Sequence, residues 1–151
     1  MPAHPPIEVR RLADLPLADL VPLIEQSLAE GHRMIVRLRD EWLDSSNRFD
    51  RPGEALYAAY AGGVMAGIGG RNIDPYGGDP SVARVRHVYV LPAFRRLGVG
   101  KALTQRIVND AQGRFASIVL RTRNPEAAAL YAALGFTSVA EETTTHRLLL
   151  R

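Results

Sequence analysis

The sequence predicts an α/β (α+β) domain whose elements follow the order β-α-α-β-β-β-α-β-α-β-β. Three observations predict this class: apolar residues at four-residue intervals, short strand-like runs, and Gly- or Pro-rich turns between them. With 151 residues and 46% hydrophobic content, the chain can form one hydrophobic core. We therefore expect a single domain over residues 1–151.

The helices are predicted from apolar stripes, of which Val99, Leu103, Ile107 and Ala111 form the clearest. Pro22 suggests that the first helix becomes regular only near residue 19. The other two long stripes comprise Leu20, Ile24 and Leu28, and Met34, Leu38 and Trp42. The predicted elements are a strand at 7–10, helices at 17–30 and 33–43, hairpin strands at 55–61 and 64–70, a strand at 85–91, a helix ending near 112, a strand at 116–122, a helix at 125–134, and strands at 136–140 and 143–150.

Composition excludes several classes of site. The chain has no cysteine, which rules out disulfides, thiolate metal sites and a cysteine nucleophile. The four histidines are scattered, with no pair at i, i+4, so no metal site is predicted. No apolar run is long enough to span a membrane, and residues 1–6 lack the basic and apolar parts of a signal peptide. A cytoplasmic location is the resulting expectation.

The net charge of +3 and the excess of arginine raise the question of nucleic-acid binding. Acidic residues are interspersed among the arginines, and the sequence contains no sustained basic block. The basic residues also lack the interleaved aromatic residues on which bases would stack. Nucleic-acid binding is therefore disfavoured.

The run from Arg95 to Lys101 is the most informative motif. It follows a strand-like segment and opens an amphipathic helix, and its sequence is Arg-Arg-Leu-Gly-Val-Gly-Lys. Gly98 and Gly100 allow close approach of the backbone to a ligand, while the helix N-terminus and the basic side chains favour an anion. A Walker loop would need Ser or Thr at 102, and the dinucleotide fingerprint would need Gly at 103; these positions are Ala and Leu.

A second motif, residues 124–136, reads as a complete short helix. Asn124 is a suitable N-cap, Pro125 suits the first helical position, and Gly135 can end the helix. Leu130 and Leu134 lie on one face, and Tyr131 is expected at the edge of that stripe.

Together, the Arg-x-x-Gly-x-Gly turn and this Asn, Leu-Tyr and Gly-Phe helix resemble the GNAT-type N-acetyltransferase superfamily. The resemblance is carried by motifs from residue 85 to 136 and by element order before that. It implies a central mixed, mostly antiparallel sheet of about seven strands flanked by about four helices. It also implies acetyl-CoA as co-substrate, with no metal.

The resemblance also assigns residues. It gives Tyr131 the role of the acid that protonates the departing thiolate, and it places the CoA arm along a strand and the pyrophosphate on the turn. Asn124 would face the CoA arm or cap its helix. The cofactor-binding residues implied are Val88, Tyr89, Val90, Arg95, Arg96, Leu97, Gly98, Val99, Gly100, Lys101, Asn124 and Tyr131.

The general base is where the sequence departs from the family, because the strand before the turn has no carboxylate. His87 alternates with Tyr89 and is our candidate base, since its unperturbed pKa near 6.5 suits proton transfer. The alternative is a histidine satisfied inside the core. Weaker candidates are Glu41, Glu54 and a water relay; His146 is either a pocket residue or an exposed edge-strand residue, and His32 is expected to follow a helix end.

The acceptor pocket is expected between the first two helices and the hairpin. Its arginines suit an acceptor with a carboxylate or phosphate beside its amine, although ordinary surface arginines are the alternative. The expected residues are Arg33, Arg37, Trp42, Asn47, Arg48, Phe49, Arg71 and Tyr76.

The function predicted is acetyl transfer to a small-molecule amine. Two alternatives remain open: acetylation of a protein lysine or N-terminus, and a CoA-binding sensor module without catalysis. A homodimer is also possible, formed through pairing of the final strand.

Overall fold

The computed structural model describes residues 5–151. The sequence predicts no signal peptide in residues 1–6, and residues 1–4 of that segment lie outside the described part of the chain. The element order matches the prediction. The elements are β1 (Ile7–Arg11), α1 (Leu17–Ala29), α2 (Met34–Leu43), β2 (Ala55–Ala61), β3 (Val64–Ile73), β4 (Val82–Val90), a short 3-10 turn (Pro92–Phe94), α3 (Val99–Ala111), β5 (Ser117–Leu120), α4 (Pro125–Ala133), β6 (Thr137–Ser138) and β7 (His146–Leu149).

These seven strands form one sheet in the order β1-β2-β3-β4-β5-β7-β6. Every neighbouring pair is antiparallel except β4 and β5, which are parallel. The predicted fold, a mixed and mostly antiparallel sheet with four helices, is confirmed.

The helices cover the two faces of the sheet in pairs. The α3 stripe is fully buried, as predicted, in a core that also contains Tyr131 of α4. Helices α1 and α2 supply the other core, which includes Leu20, Leu38 and Trp42. The sheet therefore separates an α3–α4 side from an α1–α2 side.

Several local predictions were wrong. Pro22 lies inside α1 without delaying its start at residue 17, and its missing N–H costs the helix one backbone hydrogen bond. Leu28 is exposed, and α1 buries Leu23 and Ser27 instead, so its packed face is rotated from the i+4 stripe. The strands predicted at 136–140 and 143–150 shorten to two and four residues.

The last strand was also expected to offer a free edge to a second copy of the chain. In the structure β7 lies between β5 and β6, but β6 pairs only with His146 and Arg147, so Leu148 and Leu149 have no strand beside them on that side. The two-residue strand β6 thus covers only part of that edge, and a homodimer formed through the final strand stays a prediction.

Strands β4 and β5 pair only at their beginnings. The parallel register runs from Val82 opposite Ser117 to Arg84 opposite Val119, and β4 continues for six residues without β5 beside it. On its other side, β5 pairs with β7 along its whole length, and β5 ends at Leu120. The sheet consequently opens into a cleft along the second half of β4. Here the backbone groups of β4 that face away from β3 have no neighbouring strand.

Candidate functional site

A β-bulge shapes the middle of β4. Ile68 pairs with Tyr89 and Gly70 with Arg86, so two steps along β3 correspond to three along β4. His87 lies in this extra step with φ of 60°, a conformation that is strained for a non-glycine residue. Bulges of this kind redirect side chains, and they occur often beside active sites.

Small residues on β3 make the bulge possible. A Cβ on Gly69 would lie 2.9 Å from Val88 Cγ2, and one on Gly70 would lie 2.6 Å from Phe49 Cε1. Phe49 in turn packs its ring edge-on against the His87 ring, with 6.3 Å between centroids. The glycines of β3 therefore allow Phe49 and the bulged residue to pack closely.

The turn after β4 has the geometry of an anion site. Gly98 adopts φ of 85°, and Arg96 adopts φ of 65°. The first hydrogen bond of α3 runs from the Ala102 N–H to the Gly98 carbonyl at 2.9 Å. The preceding amides therefore have no acceptor within the helix, and they lie at the positive end of its dipole.

The charged residues of the turn differ in their availability. Arg96 has a side chain that is 87% exposed, and its guanidinium lies 3.7 Å from a carboxylate oxygen of Glu126 of α4, which is itself exposed. Lys101 is also exposed, in the first turn of α3. Both side chains are free to contact a bound phosphate group.

Arg95 is placed differently from the prediction. Its guanidinium donates two hydrogen bonds to Glu30, at 2.9 and 2.8 Å, and its Nε donates to the Val90 carbonyl at 3.0 Å. The guanidinium also lies over the ring of Tyr89, 5.5 Å from its centroid. Arg95 therefore ties the end of α1 to the end of β4, because all three of its guanidinium nitrogens donate to these two segments.

Glu30 is a site residue that the sequence did not reveal. It follows α1 and accepts hydrogen bonds from Arg95 and from the Tyr89 hydroxyl. Both bonds lower the pKa of Glu30, and the bond from Arg95 has the larger effect. Burial and the bond to Glu30 raise the pKa of Tyr89. Glu30 therefore stays ionised and Tyr89 stays neutral at physiological pH. The contact joins residues that are far apart in the sequence, so no short-range motif indicates it.

Helix α4 lies beside the turn. Asn124 caps this helix, which is one of the two roles predicted for it. Its side-chain oxygen accepts hydrogen bonds from the backbone amides of Glu126 and Ala127, at 2.9 and 3.4 Å. A Cβ on Gly100 would lie 3.5 Å from Leu130 Cδ2, so α4 packs against the first turn of α3.

Tyr131 is more deeply placed than the stripe predicted. Its side chain is buried, with 6% relative exposure, whereas Leu130 and Leu134 are only partly buried. Burial raises the Tyr131 pKa to about 12. Within residues 5–151 its hydroxyl makes no hydrogen bond, and its ring contacts Phe136 and His146. The hydroxyl is therefore a protonated donor that has no protein acceptor.

His87 lies on the same side of the sheet as Tyr89, as predicted, but its ring is poorly suited to accept a proton. The residue as a whole is partly exposed, yet its Nε2 atom is fully buried and has no partner in the described part of the chain. Burial, followed by the positive charges of Arg86 and Arg37, lowers its pKa to about 3. The imidazole is neutral at physiological pH, and protonating it would be costly.

The remaining candidate bases have other roles in the structure. Both oxygens of Glu54 accept backbone amides, from Arg51 at 3.2 Å and from Ile73 at 2.9 Å. His146 is buried beside Tyr131 in an internal strand, with its Nδ1 2.9 Å from Thr145 Oγ1, so it is not an exposed edge residue. His32 is exposed just beyond α1, as expected.

The predicted acceptor region contains a cleft of about 540 Å³ on the α2 side of the sheet. It contains four of the eight residues expected there: Arg37, Asn47, Arg48 and Tyr76. The others lie elsewhere. Trp42 and Phe49 are buried in the core, Arg33 precedes α2, and Arg71 points to the opposite face, where it donates to the Gly53 and Ile107 carbonyls. The remaining lining residues are Glu41, Ser45, Ser46, Asp50, Arg51, Glu54, Asn72, Ile73, Pro75 and Arg86.

The family of the chain follows from comparison with known proteins. A model of the Acetyltransferase (GNAT) family matches residues 21–136, which include the bulge, the turn and Tyr131. The chain belongs to the GNAT family. This membership agrees with the amide-rich turn that opens α3.

Two curated relatives share part of their length with this GNAT chain. Mycothiol acetyltransferase of Arthrobacter sp. (strain FB24) is 31% identical over 117 residues, which are 75% of this chain but 34% of that protein. Aminoglycoside N(6')-acetyltransferase type 1 of Klebsiella aerogenes is 36% identical over 103 residues, 64% of this chain and 67% of that protein. The chain thus spans about a third of the first relative's length.

Solved structures show the same fold. An acetyltransferase from Exiguobacterium sp. 255-15 has 30% identity and a TM-score of 0.85, with 95% of this chain and 93% of that chain covered. An acetyltransferase from Salmonella typhimurium, solved with acetyl-CoA, has 20% identity and a TM-score of 0.72, with coverage of 96% and 94%. At that identity the second likeness concerns the fold alone.

Membrane-spanning helices and metal-binding clusters are two further kinds of feature that concern residues 5–151. None of the helices there is long and apolar enough to cross a membrane. The same part of the chain holds no cluster of three or more His, Cys, Asp or Glu that could bind a metal ion.

Proposed function

We propose that this GNAT chain transfers an acetyl group from acetyl-CoA to the primary amine of a small molecule, by direct attack within a ternary complex. The observation that carries the proposal is a convergence of three features. The amide-rich turn at Gly98 and the open edge of β4 adjoin at the first turn of α3, and α4, which carries Tyr131, packs against that same turn through Leu130.

Acetyl-CoA fits these features by its chemistry. Its pyrophosphate would accept hydrogen bonds from the turn between Arg96 and Lys101, where free amides and two exposed cations coincide. Its pantetheine arm carries amides that can pair with an open strand edge, here residues 88–90. Arg95 supports this surface indirectly, because it is bound to Glu30 and to the Val90 carbonyl.

Tyr131 is the proposed proton donor to the departing sulfur. Its pKa of about 12 keeps the phenol protonated at physiological pH, so the hydroxyl is available as a hydrogen-bond donor. In the net reaction the acceptor nitrogen loses one proton and the sulfur gains one. The amine must react in its neutral form.

The proton leaving the amine goes to water in this proposal. His87 was the predicted base, but its low pKa and buried Nε2 argue against that role. Glu54 is engaged by two backbone amides. A chain of water molecules in the cleft can carry the proton to bulk solvent without a dedicated base, which was one of the alternatives from the sequence.

A small acceptor is favoured over a protein by the shape of the site. The cleft beside the bulge has about 540 Å³, the size of a small-molecule pocket. The two curated relatives are named for small-molecule acetylation, of mycothiol and of an aminoglycoside. Protein lysine or N-terminal acetylation remains the alternative within the same class.

A non-catalytic CoA sensor is the alternative from another class, and the weak basicity of His87 is the observation that favours it. Tyr131→Phe separates the two functions. We expect acetyl-CoA-dependent thiol release in the presence of primary amines, and a sharp loss of that release in the variant with acetyl-CoA affinity preserved. Binding of acetyl-CoA with no amine-dependent thiol release across a broad amine panel would instead support the sensor.

A further inference from the structure

The cleft on the α2 side carries positive charge that the protein does not neutralise. Four arginines and three carboxylates line it: Arg37, Arg48, Arg51, Arg86, Glu41, Asp50 and Glu54. Within residues 5–151 every ion pair lies between other residues, so none of these arginines has a carboxylate within 4.0 Å. Even Arg37 and Glu41, four residues apart on α2, do not pair.

Arg86 is held in place by buried polar groups. Its guanidinium donates to Asn72 Oδ1 at 3.4 Å, and Asn72 is only 4% exposed. Asn72 and Asn47 exchange two side-chain hydrogen bonds, at 2.9 and 3.0 Å, and Asn47 also accepts the Phe49 amide. This network fixes the loop before β2 against β3, and it positions Arg86 at the wall of the cleft.

Arg37 and Arg86 line the same cleft from two elements. Arg37 comes from α2 and Arg86 from β4, and both act electrostatically on the ring of His87 at the bulge. Like charges that converge without a counter-ion repel each other, and a bound anion would relieve this repulsion. That position adjoins the β4 edge along which the thioester is proposed to lie.

We propose that Arg37 and Arg86 bind an anionic group of the acceptor, so that the substrate class is a small amine bearing a carboxylate or a phosphate. This inference rests on the proposed acetyltransferase function. Glu54 is committed to backbone amides, whereas the side-chain carboxylates of Glu41 and Asp50 accept no hydrogen bond in the described part of the chain and can face the acceptor's amine. A zwitterionic acceptor matches this pairing of charges.

The same arrangement disfavours polycationic acceptors. An aminoglycoside brings several positive charges, and here it would meet guanidinium groups that no carboxylate neutralises. The similarity to the aminoglycoside enzyme therefore does not extend to its acceptor. We expect polyamines and aminoglycosides to be poorer substrates than anionic amines of similar size.

Matched pairs of amines test the inference. Amino acids are compared with their carboxamides, and amino-sugar phosphates with the free amino sugars, with kcat/KM measured by thiol release. We expect the anionic member to be preferred by about tenfold or more in at least one series, and Arg86→Gln to remove that preference. The control is Arg39→Gln, which changes an arginine of α2 that is paired with Asp40 outside the cleft and should leave the preference unchanged. The series that shows the preference distinguishes a carboxylate from a phosphate.

A binding measurement keeps the inference separate from the function. Inorganic phosphate is titrated into the protein while the His87 ring resonance is followed by NMR. A saturable shift in the wild type and in Arg39→Gln, lost in Arg86→Gln, supports the anion site even if no amine is acetylated, in which case the proposed function alone fails. Equal or better turnover of neutral amines with normal acetyl-CoA binding, or no phosphate response at His87, would overturn the inference.

Discussion

The bulged histidine gives a prediction whose size can be worked out from the structure. His87 has a pKa near 6.5 in the unfolded chain and about 3 in the folded protein. Between these values the unfolded state binds a proton that the folded state does not. Stability therefore falls as the pH falls from about 6.5 toward 3, and it is unaffected by this group above pH 7.

The magnitude follows from proton linkage. At pH 5 the unfolded imidazole is almost fully protonated and the folded one is neutral, which costs about 2 kcal/mol of stability relative to pH 7. Other groups also titrate over this range, so the effect must be isolated by a variant. His87→Asn is suitable, because Asn tolerates the positive φ of this position and does not titrate.

Urea unfolding at pH 7, 6 and 5 measures the effect. The smaller side chain should destabilise the variant by a similar amount at each pH, because the cavity it leaves does not depend on protonation. The free-energy difference between wild type and variant should shrink by about 2 kcal/mol from pH 7 to pH 5. Parallel pH profiles would refute the reasoning: His87 would then be solvated and protonated normally in the fold, and its role as a base would regain support.

Three further predictions concern the turn and α4. Tyr131→Phe should lower kcat by roughly a hundredfold or more, the usual contribution of a positioned acid, with little change in the Kd for acetyl-CoA by calorimetry; an unchanged kcat would exclude Tyr131 as the acid. Arg96→Ala should weaken acetyl-CoA binding severalfold and reduce the salt dependence of that binding. Arg95→Ala should chiefly lower the Tm, because Arg95 is bound to Glu30. The reverse pattern would contradict the binding role of Arg96 and the structural role of Arg95. Gly98→Ala should lower the free energy of unfolding by about 1–2 kcal/mol, because alanine is strained at the φ of 85° that Gly98 adopts. Gly100→Ala should lower it much less, because the added Cβ would make only ordinary contacts. Equal losses of stability in thermal unfolding would contradict the conformational argument.

The parts of the site that depend on local chemistry could be predicted from the sequence. The α3 stripe, the turn at Gly98 and the Asn124 cap each follow from residues within one or two helical turns of one another. Their conformations are set by backbone preference and by nearby hydrogen-bond partners, so a short window of sequence contains the information needed.

Contacts between distant residues could not be predicted in this way. Glu30 and Arg95 are 65 residues apart, and only the packing of α1 near the end of β4 brings them together. The bulge at His87 depends on Gly69 and Gly70 of the neighbouring strand. From the local pattern alone, Arg95 is predicted to bind the phosphate and His87 to accept a proton.

The same limit explains two errors in orientation. Arg71 was expected in the acceptor region, but the alternation of β3 turns it toward α3, where two carbonyls accept its hydrogen bonds. Tyr131 was expected at the edge of a leucine stripe. It is instead the buried residue of α4, because that face of the helix meets Phe136 and His146.

Isothermal titration with acetyl-CoA tests the central claim most directly, with Arg96→Ala/Gly98→Trp as the comparison. The double variant removes the exposed cation and fills the turn, while circular dichroism checks that it remains folded. The structure predicts micromolar binding by the wild type that is lost in the variant. Absence of binding by the wild type, or equal binding by a folded double variant, would contradict the assignment of the turn as the acetyl-CoA site.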